Sequence, residues 1–196
     1  DPSSAAFLVA LAVINNNSNL KLTNVLLNES RIGFVQVLNN MNCLITKSNE
    51  SIHNGEKVVD LTISSSNLKA IEVETEIIPS IIDEVPILAV VAAFANGTTV
   101  FENVEELKYK ECDRLSAIIH NLKAFGIKAY EKSNDLFVEG GKVKRMPKIT
   151  TFDDHRIAMA FTIFSLTSFE KYELDNIQCV DISLPNFFNY LSEVAK

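Results

Sequence analysis

The sequence has no tryptophan, no pair of cysteines at C-x-x-C spacing and no apolar run of membrane-spanning length. Its longest apolar runs, residues 5–14 and 85–95, fall well short of the roughly 20 residues a helix needs to cross a bilayer. It also lacks any excess of positive charge. A net charge of −7 and a pI near 5.0 argue against a general nucleic-acid binder, which carries a basic surface, though they leave room for a local basic pocket. Cys43, Cys112 and Cys179 are odd in number and far apart, which fits free thiols in a reducing cytoplasm and not a disulfide framework. Of the three, Cys112 precedes a helix and has cationic neighbours, an environment able to lower a thiol pKa, though a bystander thiol is the commoner reading. His53, His120 and His155 show no metal-ligand spacing, so no structural metal is expected. No stretch reads as a signal peptide, and no long linker or low-complexity tract interrupts the chain.

What is present is a core and a rhythm. Hydrophobic residues make up 47% of the 196, enough for one α/β domain. In a first pass, Ser3 or Ser4 is placed to cap an apolar helix ending near Ile14, and "LKLTNVLL" reads as a strand. Residues 31–41 form an amphipathic helix that Asn42 closes in the left-handed conformation, and "CLITKS" and "VVDLTISS" are strands around the turn-rich "NESIHNGE".

A second pass repeats the order. Asp83 is placed to cap a helix running through Ala95, "TTVFENV" is a strand, residues 114–125 are an amphipathic helix closed by Gly126, and "IKAYEK" and "LFVEG" are strands around "SND". The third pass is shorter: a helix capped by Asp154 through Leu166, the strand "KYELDNI", and a last helix beginning at Pro185. Asn24-Val25, Asn103-Val104 and Asn176-Ile177 recur at corresponding places. The expected fold is α/β, a βαβαββ-like unit used about three times around buried helices.

Charge concentrates at three helix starts: Asp83-Glu84, the stretch from Lys110 to Arg114, and the stretch from Asp153 to Arg156. Caps account for the acids, at about 1 kcal/mol each. They do not account for Arg114 and Arg156, each placed where the helix dipole disfavours a cation by about 0.3–1 kcal/mol if exposed. A bound anion offsets that cost, since a helix N-terminus offers N–H groups and a guanidinium adds a bidentate fork. Pairing with neighbouring surface acids is the competing explanation. Glu111 and His155 add acid–base capacity, Lys110 suits a phosphate or hydroxyl, and Asp83 suits a substrate hydroxyl.

The segments "SSAAFLVALAV", "IIDEVPILAVVAAFANGTT", "EELKYKECDRL" and "DDHRIAMAF" resemble, in order and over essentially the whole chain, the C-terminal half of the 5-enolpyruvylshikimate-3-phosphate synthases, the 3-phosphoshikimate 1-carboxyvinyltransferases. K-E-x-D-R and D-H-R with I-D-E-x-P upstream is a specific combination that the sister UDP-N-acetylglucosamine enolpyruvyl transferases lack. The resemblance implies a single C-terminal enolpyruvyl transferase domain over residues 1–196, with the family's first domain absent. It implies transfer of the enolpyruvyl group of phosphoenolpyruvate to the 5-hydroxyl of shikimate 3-phosphate, with release of phosphate, by addition and elimination through a tetrahedral intermediate and without metal or organic cofactor. It also implies a chain inactive without the other domain.

In that comparison Asp83 matches the aspartate that contacts the 5-hydroxyl and accepts its proton, and Lys110 the lysine near the same hydroxyl. Glu111 matches the glutamate that moves a proton at the enolpyruvyl methylene, and His155 the histidine beside it. Arg114 and Arg156 match the arginines that bind the phosphoenolpyruvate carboxylate. Two positions depart: Glu106 stands where some members carry an asparagine, and Ile182 where many carry a lysine. A non-catalytic remnant or a binding and assembly module of the same fold is the alternative, since the related α/β unit also resembles the C-terminal domain of a bacterial translation initiation factor.

Overall fold

The computed structural model describes residues 1–26 and 33–194. Three helices that are apolar nearly all round lie at its centre: α1 (Pro2–Ile14), α4 (Val85–Ala92) and α6 (His155–Phe169). A helix with no polar face cannot rest on a surface, so these three pack on one another. All eight residues of α4 are buried, and each fully buried Val, Leu or Ile contributes about 1.5–3 kcal/mol.

Two sheets, the first antiparallel and the second mixed, flank the helices. The first joins β1 (Asn19–Leu26), β2 (Leu44–His53) and β3 (Glu56–Ser64) in the order β1-β3-β2. The second joins β4 (Glu72–Val73), β5 (Thr98–Phe101), β6 (Lys128–Lys132) and β7 (Asp135–Glu139) in the order β4-β5-β7-β6, with β4 parallel to β5. The amphipathic helices α2 (Gly33–Asn40) and α5 (Arg114–Phe125) lie between the strands in sequence. Phe125 ties α5 to α6 through an edge-on contact with Phe164, ring centroids 4.3 Å apart. The run from β4 to β7, through α3 (Ile78–Ile81), α4 and α5, has the βαβαββ order, and α1 to β3 has the same order without a leading strand. Among the described residues no helix is long and apolar enough to cross a membrane.

Asparagine sets the shared geometry of the two arrays. Asn24 (φ 55°) and Asn103 (φ 47°) are both left-handed, and each donates its main-chain N–H to an aspartate on the central strand's side, Asp60 at 3.1 Å and Asp135 at 2.8 Å. Asn24 lies at an irregularity inside β1, and Asn103 two residues past β5. Asn176 serves differently, donating its side-chain amide to Asp153 at 2.6 Å.

Several boundaries differ from expectation. Asp1, not Ser3 or Ser4, caps α1 by accepting from the Ser4 N–H. The "NESIHNGE" segment is mostly strand, because Asn54 and Gly55 alone make the two-residue turn, both at positive φ. Helix α4 stops at Ala92, α6 continues to Phe169, and the last helix, α7 (Phe187–Val194), starts two residues after Pro185. "KYELDNI" is not a strand: Leu174 makes one isolated bridge to Ile149 before the chain turns into a 3-10 helix at Gln178–Ile182. Leu27, Arg31 and Ile32, assigned to a strand and to the start of α2, lie outside the described residues. The loop after β7 lies so close to the core that a methyl group on Gly140 would sit 1.7 Å from the carbonyl oxygen of Ala95.

Candidate active site

Of the acids at the three charged helix starts, Asp83, Asp113 and Asp154 were each expected as N-caps, and two of these caps form. Asp113 caps α5 through the Ser116 N–H at 3.0 Å, and Asp154 caps α6 through the N–H groups of Arg156 at 2.8 Å and Ile157 at 3.1 Å. Asp83 does not cap α4. It lies in the turn between α3 and α4, and the residue before α4 is Glu84, in a right-handed helical conformation with no side-chain cap bond. The side chain of Asp83 is thereby left to face the starts of α5 and α6.

Those two starts meet at Arg114. Its guanidinium is 1% exposed and donates in three directions: Nε to Asp154 at 2.8 Å, Nη1 to Asp83 at 3.1 Å and Nη2 to Glu111 at 2.5 Å. Arg114 therefore offsets its position at a helix N-terminus with three carboxylates. The competing explanation of acid pairing holds for this free site, but in the interior and not on a solvated face. Arg156 is more open, its side chain 14% exposed. Its Nη1 donates to the main-chain oxygen of Asp83 at 2.9 Å and lies 3.5 Å from Glu84, while its Nη2 lies 3.6 Å from the Asp83 carboxylate. Lys110 pairs with Glu106 and lies 3.7 Å from Asp83.

Asp83 is thus within 4 Å of all three cations. Burial acts to raise its pKa, but Arg156, Lys110 and Arg114 together outweigh that and hold the carboxyl below the usual carboxylate range. At His155 burial lowers the pKa, helped by Arg156 and Arg114 and opposed by Asp154 and Glu111, so the ring favours its neutral form. At Cys112 the cationic neighbours do not prevail, and the activated-thiol reading fails. Burial first, then the charge of Asp154 at 3.8 Å from its sulfur, push its pKa up to about 12, despite the nearby arginine.

The turn entering α6 is strained. Phe152 (φ 54°) and Asp153 (φ 55°) are consecutive left-handed residues without a glycine, uncommon for any bulky side chain. The turn is held by Thr151, whose N–H and hydroxyl both donate to Asp175, and by the edge-on contact of Phe152 with His120. All six expected residues, Asp83, Lys110, Glu111, Arg114, His155 and Arg156, come from the three helix starts that converge here. Two further members were not among the expected site residues: Asp154, expected only as the cap of α6 and fully buried against Arg114, and Glu84, 4% exposed beside Arg156. The signal for both was an acid beside an arginine-bearing helix start.

Buried helices faced by small sheets, with charged helix starts gathered at one place, define the enolpyruvyl transferase class of fold. An enolpyruvyl transferase from Streptomyces tendae, NikO, shares that fold at a TM-score of 0.65 and 16% identity, covering 100% of this chain and 43% of its own. The sequence pattern of EPSP synthase (3-phosphoshikimate 1-carboxyvinyltransferase) matches residues 1–191, and the chain belongs to that family. A 3-phosphoshikimate 1-carboxyvinyltransferase of Clostridium tetani is 44% identical over 98% of this chain and 44% of its own length. One from a Sulfurihydrogenibium species is 40% identical over 100% and 46%. An EPSP synthase structure from Acinetobacter baumannii superposes at a TM-score of 0.93 with 32% identity, over 98% of this chain and 45% of that one. The chain therefore spans less than half the length of these relatives.

Proposed function

We propose that this chain is the C-terminal half-site of an enzyme that joins phosphoenolpyruvate to the 5-hydroxyl of shikimate 3-phosphate and releases phosphate, working in the cytoplasm. The convergence of Lys110, Arg114 and Arg156 on Asp83 is the observation that carries this reading. A carboxylate that three cations keep ionised is a hydrogen-bond acceptor for the attacking hydroxyl. As the hydroxyl oxygen bonds to C2 of phosphoenolpyruvate, its proton leaves toward Asp83 with Lys110 alongside, and C3 takes up a proton delivered by Glu111 to give the tetrahedral adduct. Elimination then removes a proton from C3, with Glu111 and the neutral His155 as the acid–base groups, and breaks the C2–O bond to phosphate.

Arg114 and Arg156 hold the phosphoenolpyruvate carboxylate in this scheme. Arg156 presents the more open guanidinium. A carboxylate reaches Arg114 by displacing Glu111, whose side chain is 54% exposed. That displacement also frees Glu111 for proton transfer.

The half-site is incomplete by charge. Asp83, Glu84, Glu106, Glu111 and Asp154 are five acids against Lys110, Arg114 and Arg156, three cations. Both substrates carry phosphate, so the remaining positive charge must come from outside this cluster, and the first half of the protein is the proposed source. The test is turnover by the purified chain alone and by the full-length protein. Activity in the full-length protein that Glu111→Gln abolishes, with none in the chain alone, is the expected result. Turnover by the chain alone that Glu111→Gln abolishes overturns the half-site reading. A full-length protein that neither binds nor converts the two substrates overturns the reaction.

A further inference from the structure

We infer that Glu84 is a positioning residue for Arg156, and through it for the carboxylate of phosphoenolpyruvate; this rests on the reading of Arg156 as a substrate contact. The side chain of Glu84 is 5% exposed. A carboxylate so far from water is rarely kept unless a cation or donors compensate it. The helix that follows has no need of it. Glu84 makes no side-chain cap bond, its N–H donates to the Ile81 carbonyl and its own carbonyl accepts from Leu88. Any residue provides those main-chain groups. Its neighbours Val85, Pro86 and Ile87 are buried, so an apolar side chain suits the position as packing.

Among the described residues the carboxylate reaches Arg156. Glu84 Oε1 lies 3.5 Å from Nη1, the nitrogen that also donates to the main-chain oxygen of Asp83 at 2.9 Å, and Nη2 lies 3.6 Å from the Asp83 carboxylate. Two consecutive residues thus place one hydrogen-bond acceptor and two ion-paired carboxylates along the Nη edge of one guanidinium. Arg114 is fixed by three hydrogen bonds. Arg156 donates one side-chain hydrogen bond among the described residues, so Glu84 is the buried acid that restrains its plane. A planar fork is useful to a carboxylate only while its plane is held.

The experiment is equilibrium binding of phosphoenolpyruvate and of shikimate 3-phosphate, each with and without the other, to full-length protein. The variants are Glu84→Gln, Glu84→Met, Arg156→Ala and the Glu84→Met/Arg156→Ala double. Glu84→Met keeps the volume and removes the charge, Arg156 retains its Asp83 contacts, and a thermal melt of each variant checks that the fold is retained. It is expected to weaken phosphoenolpyruvate about 10-fold while leaving shikimate 3-phosphate within about 2-fold, and to add nothing once Arg156 is gone. Glu84→Gln retains an acceptor oxygen and is expected to restore affinity to within about 3-fold of the parent.

Equal weakening of both substrates, with a lower melting temperature, means that Glu84 merely shapes the turn that also carries Asp83, and overturns the inference. So does a parent-like affinity in Glu84→Met when Arg156→Ala binds weakly. If Arg156→Ala itself keeps parental affinity, the reading of Arg156 as a substrate contact fails instead.

Discussion

Arg114 Nε donates to Asp154 Oδ2 at 2.8 Å, and neither side chain reaches solvent. Asp154 simultaneously caps α6 with its other oxygen. One carboxylate therefore joins the starts of α5 and α6. Removing it takes from Arg114 its one fully buried carboxylate partner and from α6 its cap, so Asp154→Ala is expected to cost about 3–5 kcal/mol of stability. Urea denaturation of parent and variant measures it. A loss near 1 kcal/mol, the worth of a cap alone, would show that the ion pair contributes little.

His155 is expected to titrate below the ordinary histidine pKa of about 6.5. Its folded value is depressed, so its contribution to stability is complete above the unfolded pKa and lost as pH falls through the folded one. Asp83, also depressed, follows the same sign in the carboxylate range. Arg156→Ala removes a nearby positive charge and raises the His155 midpoint. An NMR titration of the imidazole protons reads both shifts, and a midpoint above 6.5 in the parent contradicts the burial argument.

In full-length protein, Arg114→Ala and Arg156→Ala are each expected to weaken phosphoenolpyruvate by roughly 10- to 150-fold and shikimate 3-phosphate far less, since a charge-assisted hydrogen bond is worth about 1.5–3 kcal/mol. Lysine at either position rescues only in part, lacking the fork. Asp83→Ala lowers kcat instead. Binding and steady-state kinetics separate these outcomes. Arginine variants that melt early yet keep substrate affinity are structural, and the clamp assignment is then wrong.

Cys112 is expected to resist alkylation at pH 8, because a thiol held near pKa 12 carries almost no thiolate there. Arg114→Ala makes it more inert still by removing the nearby cation. Rates of iodoacetamide labelling against pH, followed by mass spectrometry of the Cys112 peptide, decide the matter. Labelling as fast as free cysteine refutes it.

Local chemistry made much of this legible in sequence. Asp113 and Asp154 cap helices because the cap bond is made within three residues. Non-local facts were hidden. Nothing in "KYELDNI" shows that its partner Ile149 offers one bridge and no strand. Asp83 looked like a cap because the short helix α3 ahead of it, begun around Pro79, leaves no local trace that the turn belongs to two helices. The charge of Glu84 reads as solvated until α6 is placed against it. The thiol of Cys112 was equally hidden: burial, and then the charge of Asp154 from another element, outweigh its local cations.

Arg156 holds the peptide oxygen of Asp83 as well as lying near its side chain. The backbone contact survives any substitution at that position. Shape and acidity are consequently separable at Asp83: asparagine or alanine there changes the proton chemistry while the arginine keeps its seat. Residue 83 is thus a place where the reactivity of this surface can be rewritten without redrawing it.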